Sequence, residues 1–61
     1  MIKVFSHFQI GVNRVTFGFD RKIKSFFVLK QNKDYGVYYF FNLRSEANEY
    51  YNGLTRELSG V

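Results

Sequence analysis

Hydrophobic and polar residues alternate over most of the first two dozen positions, apolar runs follow at 26–29 and 37–41, and beyond them the spacing changes to threes and fours. In Ile2 to Ile10, the residues Ile2, Val4, Phe8 and Ile10 share one parity with Ser6, and Lys3, Phe5, His7 and Gln9 share the other. A period of two with one apolar side predicts a strand. Gly11-Val12-Asn13-Arg14 reads as a turn, since Gly and Asn tolerate positive φ. Val15 to Asp20 alternates again, with Val15, Phe17 and Phe19 against Thr16, Gly18 and Asp20, so the two runs predict a hairpin. After the polar break Asp20-Arg21-Lys22, a third strand is expected over Ile23 to Lys30. Its Ile23, Ser25, Phe27 and Leu29 lie on one side, and Lys22, Lys24, Phe26, Val28 and Lys30 on the other. Gln31 to Gly36 is a polar loop. Val37-Tyr38-Tyr39-Phe40-Phe41 is an unbroken run of β-branched and aromatic residues. Apolar groups on both its faces predict a central strand. The short connections favour antiparallel neighbours in a meander.

The helical spacing begins after Asn42. Leu43, Ala47, Tyr50, Leu54 and Leu58 form one stripe, with Tyr51 at its edge. Ser45 is the expected N-cap, Glu46 and Glu49 suit the positive end of the helix dipole, and Gly60 suits a C′ position. Gly53 interrupts the helix and predicts either a bend or a close approach to the sheet. The fold class is therefore α+β. One domain spans 1–61, with a small antiparallel sheet of about four strands and a C-terminal helix packed on one face.

Composition narrows how such a chain is held together. Its 61 residues include no cysteine and one histidine, so neither a disulfide nor a Cys/His zinc site is expected, and no cofactor. Rings make up 21% of the chain, which gives a short sequence much apolar area per residue. No apolar run approaches the ~20 residues of a membrane helix, and no signal peptide is apparent, so the chain reads as a complete cytoplasmic protein. The formal charge of +4 favours acidic partners.

Nothing in the chain points to catalysis. Ser6 and His7 fall on opposite faces of their strand, and nucleophile and base must be within hydrogen-bond reach. Asp20 and Asp34 fall in turns, and Glu46, Glu49 and Glu57 on the helix surface. Phosphate-loop and metal-binding spacings are absent. The expected function is non-enzymatic binding.

One helix covers one face of a sheet. If Ile2, Val4, Phe8, Val15, Phe17, Phe19, Ile23, Phe27 and Leu29 lie beneath it, the reverse face interleaves Lys3, Phe5, His7, Lys22, Lys24, Phe26, Val28 and Lys30. The fourth strand adds either Tyr38 and Phe40 or Val37, Tyr39 and Phe41. Rings offer surfaces on which bases stack, and lysines neutralise phosphates. The preferred partner is single-stranded nucleic acid, with Lys3, Lys22, Lys24 and Lys30 on phosphates and Phe26 and Tyr38 stacking on bases. The alternative is a small protein-binding inhibitor or adaptor facing an acidic protein surface, or a homodimer joined through Phe26, Val28, Tyr38 and Phe40 with lysines at the rim. Size and composition suit a phage- or plasmid-encoded modulator of a host machine. Phe17-Gly18-Phe19 resembles the aromatic-Gly-aromatic centre of the RNP1 motif in RNA-recognition and cold-shock domains. The resemblance covers three residues, with Thr16 and Asp20 departing from the motif on either side. The alternation of Phe17 and Phe19 with polar neighbours places both rings in the core.

Overall fold

A computed structural model describes residues 1–60. The elements are β1 (Ile2–Ile10), β2 (Asn13–Asp20), β3 (Ser25–Gln31), β4 (Gly36–Phe41) and α1 (Arg44–Ser59). The strands form one antiparallel sheet in the order β1-β2-β3-β4, the expected meander, and the helix packs on one face. Each connection has a local cause. Gly11 and Val12 alone join β1 to β2, and Gly11 takes φ +59° at the first turn position. That pattern, with glycine leading, suits the right-handed twist of a hairpin. Between β2 and β3 the Asp20 carboxylate accepts the Lys22 N–H at 2.9 Å. Asn32 organises the last loop, where its Oδ1 accepts the N–H groups of Asp34 at 2.8 Å and Tyr35 at 3.0 Å.

The core lies between the sheet and the helix. Val15, Phe17, Val28, Ala47, Tyr51 and Leu54 are buried there, ringed by Phe5, Phe8, Phe26, Tyr39, Phe41, Tyr50 and Leu58. Residues opposite one another in an antiparallel pair share a face. Phe17 is opposite both Ser6 and Val28, Val28 is opposite Tyr39, and Phe26 is opposite Phe41. These pairings carry one surface across the sheet under the helix. Ser6 extends it to β1, where its hydroxyl is 3.1 Å from the Tyr51 hydroxyl.

Expectations for β1, β3, β4 and the helix are corrected. The third strand begins at Ser25, and Ile23 is exposed in the turn before it. Its phase is reversed, so Phe26 and Val28 face the helix while Phe27 and Leu29 face away. Phe26-Phe27-Val28-Leu29 is apolar on both parities, so alternation could not choose between them; the pairing with β2 does. In β1 the register shifts between Val4 and Ser6, as at a β-bulge. One extra residue inverts the parity of what precedes it. Phe5 thereby joins Phe8 on the helix side, while Ile2 and Val4 turn outward. β4 is an edge strand, whereas its composition predicts a central one. In the helix, Leu43 holds the N-cap position with no side-chain hydrogen bond, and Ser45 lies inside the first turn. Tyr51 is at the centre of the buried stripe and Leu43 is exposed. Gly60 ends the helix as expected, at φ 78°, its N–H directed to the carbonyls of Arg56 and Glu57. Gly53 is exposed with open space beside its Cα, so it marks no close approach to the sheet.

Candidate binding face

The sheet face away from the helix collects residues from all four strands. β1 contributes Ile2, Val4 and His7, opposite Asp20, Gly18 and Thr16 of β2. β3 adds Phe27, opposite Gly18 and Phe40, and Leu29, opposite Thr16 and Tyr38. The centre of this face is apolar. Tyr38 and Phe40, two residues apart on β4, stack with ring centroids 5.7 Å apart and planes 7° from parallel. They are 50% and 54% exposed, and Ile2 and Val4 are each 51% exposed. Exposed apolar side chains thus stand on both edge strands of this face, with Phe27 and Leu29 between them.

Phe27 forms the floor of the face. It is 2% exposed although no helix covers it. Its ring meets Tyr38 edge-on at 5.8 Å and lies against Gly18, which has no side chain to lift it. Glycine in the interior of an otherwise aromatic strand signals such an approach. That signal was available in the sequence and would have drawn Phe27 to this face.

The six residues expected to form one site are divided. Tyr38 lies on the open face. Lys22 and Lys24 lie in the β2–β3 turn, at the sheet end where Ile2 and Phe40 are found, together with Arg21. Lys24 takes φ 54° there. Lys3, Phe26 and Lys30 are on the helix side. Lys3 is opposite Phe19, with its ammonium 5.9 Å from the Phe5 ring centroid. Phe26 meets Phe19 edge-on at 4.8 Å beside the core. Lys30 is opposite Val15 and Val37 and lines a cleft with Asn13, Tyr35 and Leu58. The lysine row therefore does not interleave with the exposed rings. Val28, the other expected interface residue on β3, is fully buried.

Charge on the open face is confined to its ends. The basic turn borders one. Toward the other, Arg14 donates from Nε and Nη2 to Gln9 Oε1 at 3.3 and 2.9 Å, near His7. His7 and Ser6 are on opposite faces, since Ser6 meets the helix. No helix among the described residues is long and apolar enough to cross a membrane.

In comparisons with known proteins, no family model matches this chain, and no curated protein or solved structure shows significant similarity to it.

Proposed function

We propose that this protein is a non-enzymatic binding module that docks its open sheet face on another protein. The observation that supports this is the arrangement of the face: Ile2, Val4, Phe27, Leu29, Tyr38 and Phe40 form an apolar centre, with cations at the ends only. An aromatic, uncharged centre with a charged rim is the anatomy of a protein interface. The matching surface on the partner is apolar at its centre and acidic where it meets Arg21, Lys22 and Lys24. Such a module acts in the cytosol, where a chain without cysteines lacks no staple. Blocking a functional surface of a larger machine, as a phage- or plasmid-encoded modulator does, requires no more than this.

A photo-crosslinking residue placed at Ile2, on the strand farthest from β4, tests the reading, with one at the exposed Glu49 of the helix as control. Ile2 should capture one discrete protein, other than a second copy of this chain, that Glu49 does not, and Val4→Lys should abolish the capture. Equal capture from both positions would overturn the reading.

A second reading, single-stranded nucleic acid, is favoured by one feature: Phe40, the outer ring of the stack, is near the sheet end that carries Lys22 and Lys24. Base stacking on exposed rings contributes ~1–3 kcal/mol per base. If this reading holds, oligonucleotide anisotropy should fall steeply with salt, and Lys24→Ala should reduce the slope by ~0.7. Absence of binding by the wild type at low salt leaves the protein-docking reading in place.

A further inference from the structure

The two edges of the sheet differ in kind. β1 is interrupted by its bulge and carries Lys3. Bulges and charges are the usual means by which an edge strand avoids pairing with another chain. β4 has neither. Gly36-Val37-Tyr38-Tyr39-Phe40-Phe41 contains no charged residue and no proline, and it runs in unbroken register along β3. It is apolar on both faces, as central strands are, yet its outer side meets no other strand among the described residues.

The direction of its backbone groups follows from one hydrogen bond. The Phe41 carbonyl shares the Ser25 hydroxyl, at 3.1 Å, with the Phe26 carbonyl at 3.2 Å and so points toward β3. Backbone groups alternate along a strand, so Tyr38 and Phe40 direct their N–H and C=O groups to the free edge. We infer that the protein forms a two-fold dimer by antiparallel pairing of β4 with β4 of a second copy. With Tyr39 on the two-fold axis, Tyr38 is opposite Phe40 of the second copy and Phe40 opposite its Tyr38. Two reciprocal pairs of backbone hydrogen bonds then close the edge. Both helices fall on one side of an eight-stranded sheet, and the two Tyr38–Phe40 stacks meet at the centre of the other. Tyr38 and Phe40 belong to the open face as well, so Val4, on the opposite edge strand, is the position that separates the two readings.

Charge favours a second copy as the occupant. A chain of net charge +4 resists its own kind at most surfaces, but β4 brings no like charges together. The rings of Tyr38 and Phe40, 50% and 54% exposed, would meet their counterparts across the axis beside the paired backbone.

Light scattering and sedimentation over a range of concentrations should give twice the 7.3 kDa chain mass. Tyr38→Lys should restore the single mass by setting like charges close together across the axis. Phe40→Pro should do the same, because it removes an outward N–H without breaking a bond to β3. Val4→Lys, on the open face away from this edge, should remain dimeric. A wild type that is monomeric at every concentration overturns the inference, as does a dimer that survives Tyr38→Lys or is lost in Val4→Lys alone. Amide hydrogen exchange on the wild type requires no variant to fold. The Tyr38 and Phe40 amides should become protected as concentration rises, and exchange at solvent-exposed rates throughout would also overturn the inference.

Discussion

The Phe27 ring rests on Gly18 of the neighbouring strand. A Cβ at Gly18 would stand 3.0 Å from two Phe27 ring carbons and press on the Lys3 carbonyl oxygen beside the β1 bulge. Neither neighbour can easily give way, since one is backbone and the other a buried ring. Gly18→Ala should therefore destabilise by ~1–3 kcal/mol, as overpacking does. A lower urea midpoint at unchanged slope would show it, and an unchanged midpoint would mean that Phe27 is free to lift. A lifted ring should also disturb the open face, because Phe27 meets Tyr38 there.

Ser6 and Tyr51 connect the first strand to the helix through their hydroxyls, which are 3.1 Å apart and partly buried. Ser6→Ala and Tyr51→Phe should each cost ~1 kcal/mol, and a double-mutant cycle should return a coupling of ~0.5–1.5 kcal/mol. Additive losses would show that each hydroxyl is satisfied by water instead.

Gly53 lies on the solvent side of the helix with nothing near its Cα. Gly53→Ala should raise stability by ~1 kcal/mol through helix propensity alone. Thermal melts would detect the gain. A loss would reveal a neighbour on that side of the helix.

Leu54 is buried at the middle of the helix stripe. Leu54→Ala should cost ~2–5 kcal/mol. A domain of this size has ~3–5 kcal/mol in all, so circular dichroism should find the variant largely unfolded at room temperature. Wild-type stability would remove Leu54 from the core.

The Tyr50 phenol is held above its ordinary pKa, first by burial and then by its hydrogen bond with Tyr39 and the nearby Glu57 charge. The unfolded chain therefore ionises this group before the folded one. Its contribution to stability is complete below about pH 10, the value for an unfolded tyrosine, and is lost as pH rises through the folded value. Tyr50→Phe should flatten the alkaline fall in denaturation midpoint. If the variant declined as steeply as the wild type, other groups would govern the alkaline transition.

The existence and order of the elements were legible because each rests on local chemistry. Period-two alternation, Gly11 at the first hairpin turn and the three-and-four spacing of Ala47, Tyr50 and Leu54 are properties of short segments. β2 lies on the face that its pattern predicts, because Val15, Phe17 and Phe19 alternate with Thr16, Gly18 and Asp20, leaving one apolar side. The helix start was less legible. Ser45 has the chemistry of a cap, yet Leu43 takes the extended dihedrals, because the chain leaving β4 turns there.

The composition of the candidate site depended on tertiary structure. Phe26-Phe27-Val28-Leu29 is apolar on both parities, so only pairing with Phe17 and Phe19 decides which rings go beneath the helix. In β1 a single bulged residue at Phe5 inverts the parity of Ile2 and Val4, and the pattern of side chains alone does not mark it. Lys3, Lys30 and Phe26 were thereby carried to the helix side, while Ile2, Val4 and Phe27 came to the open face. The sequence by itself determined a four-stranded sheet and a helix, since those follow from interactions within a few residues. Which face each side chain occupies was decided by register, and register is set by the packing of strands against one another and against the helix.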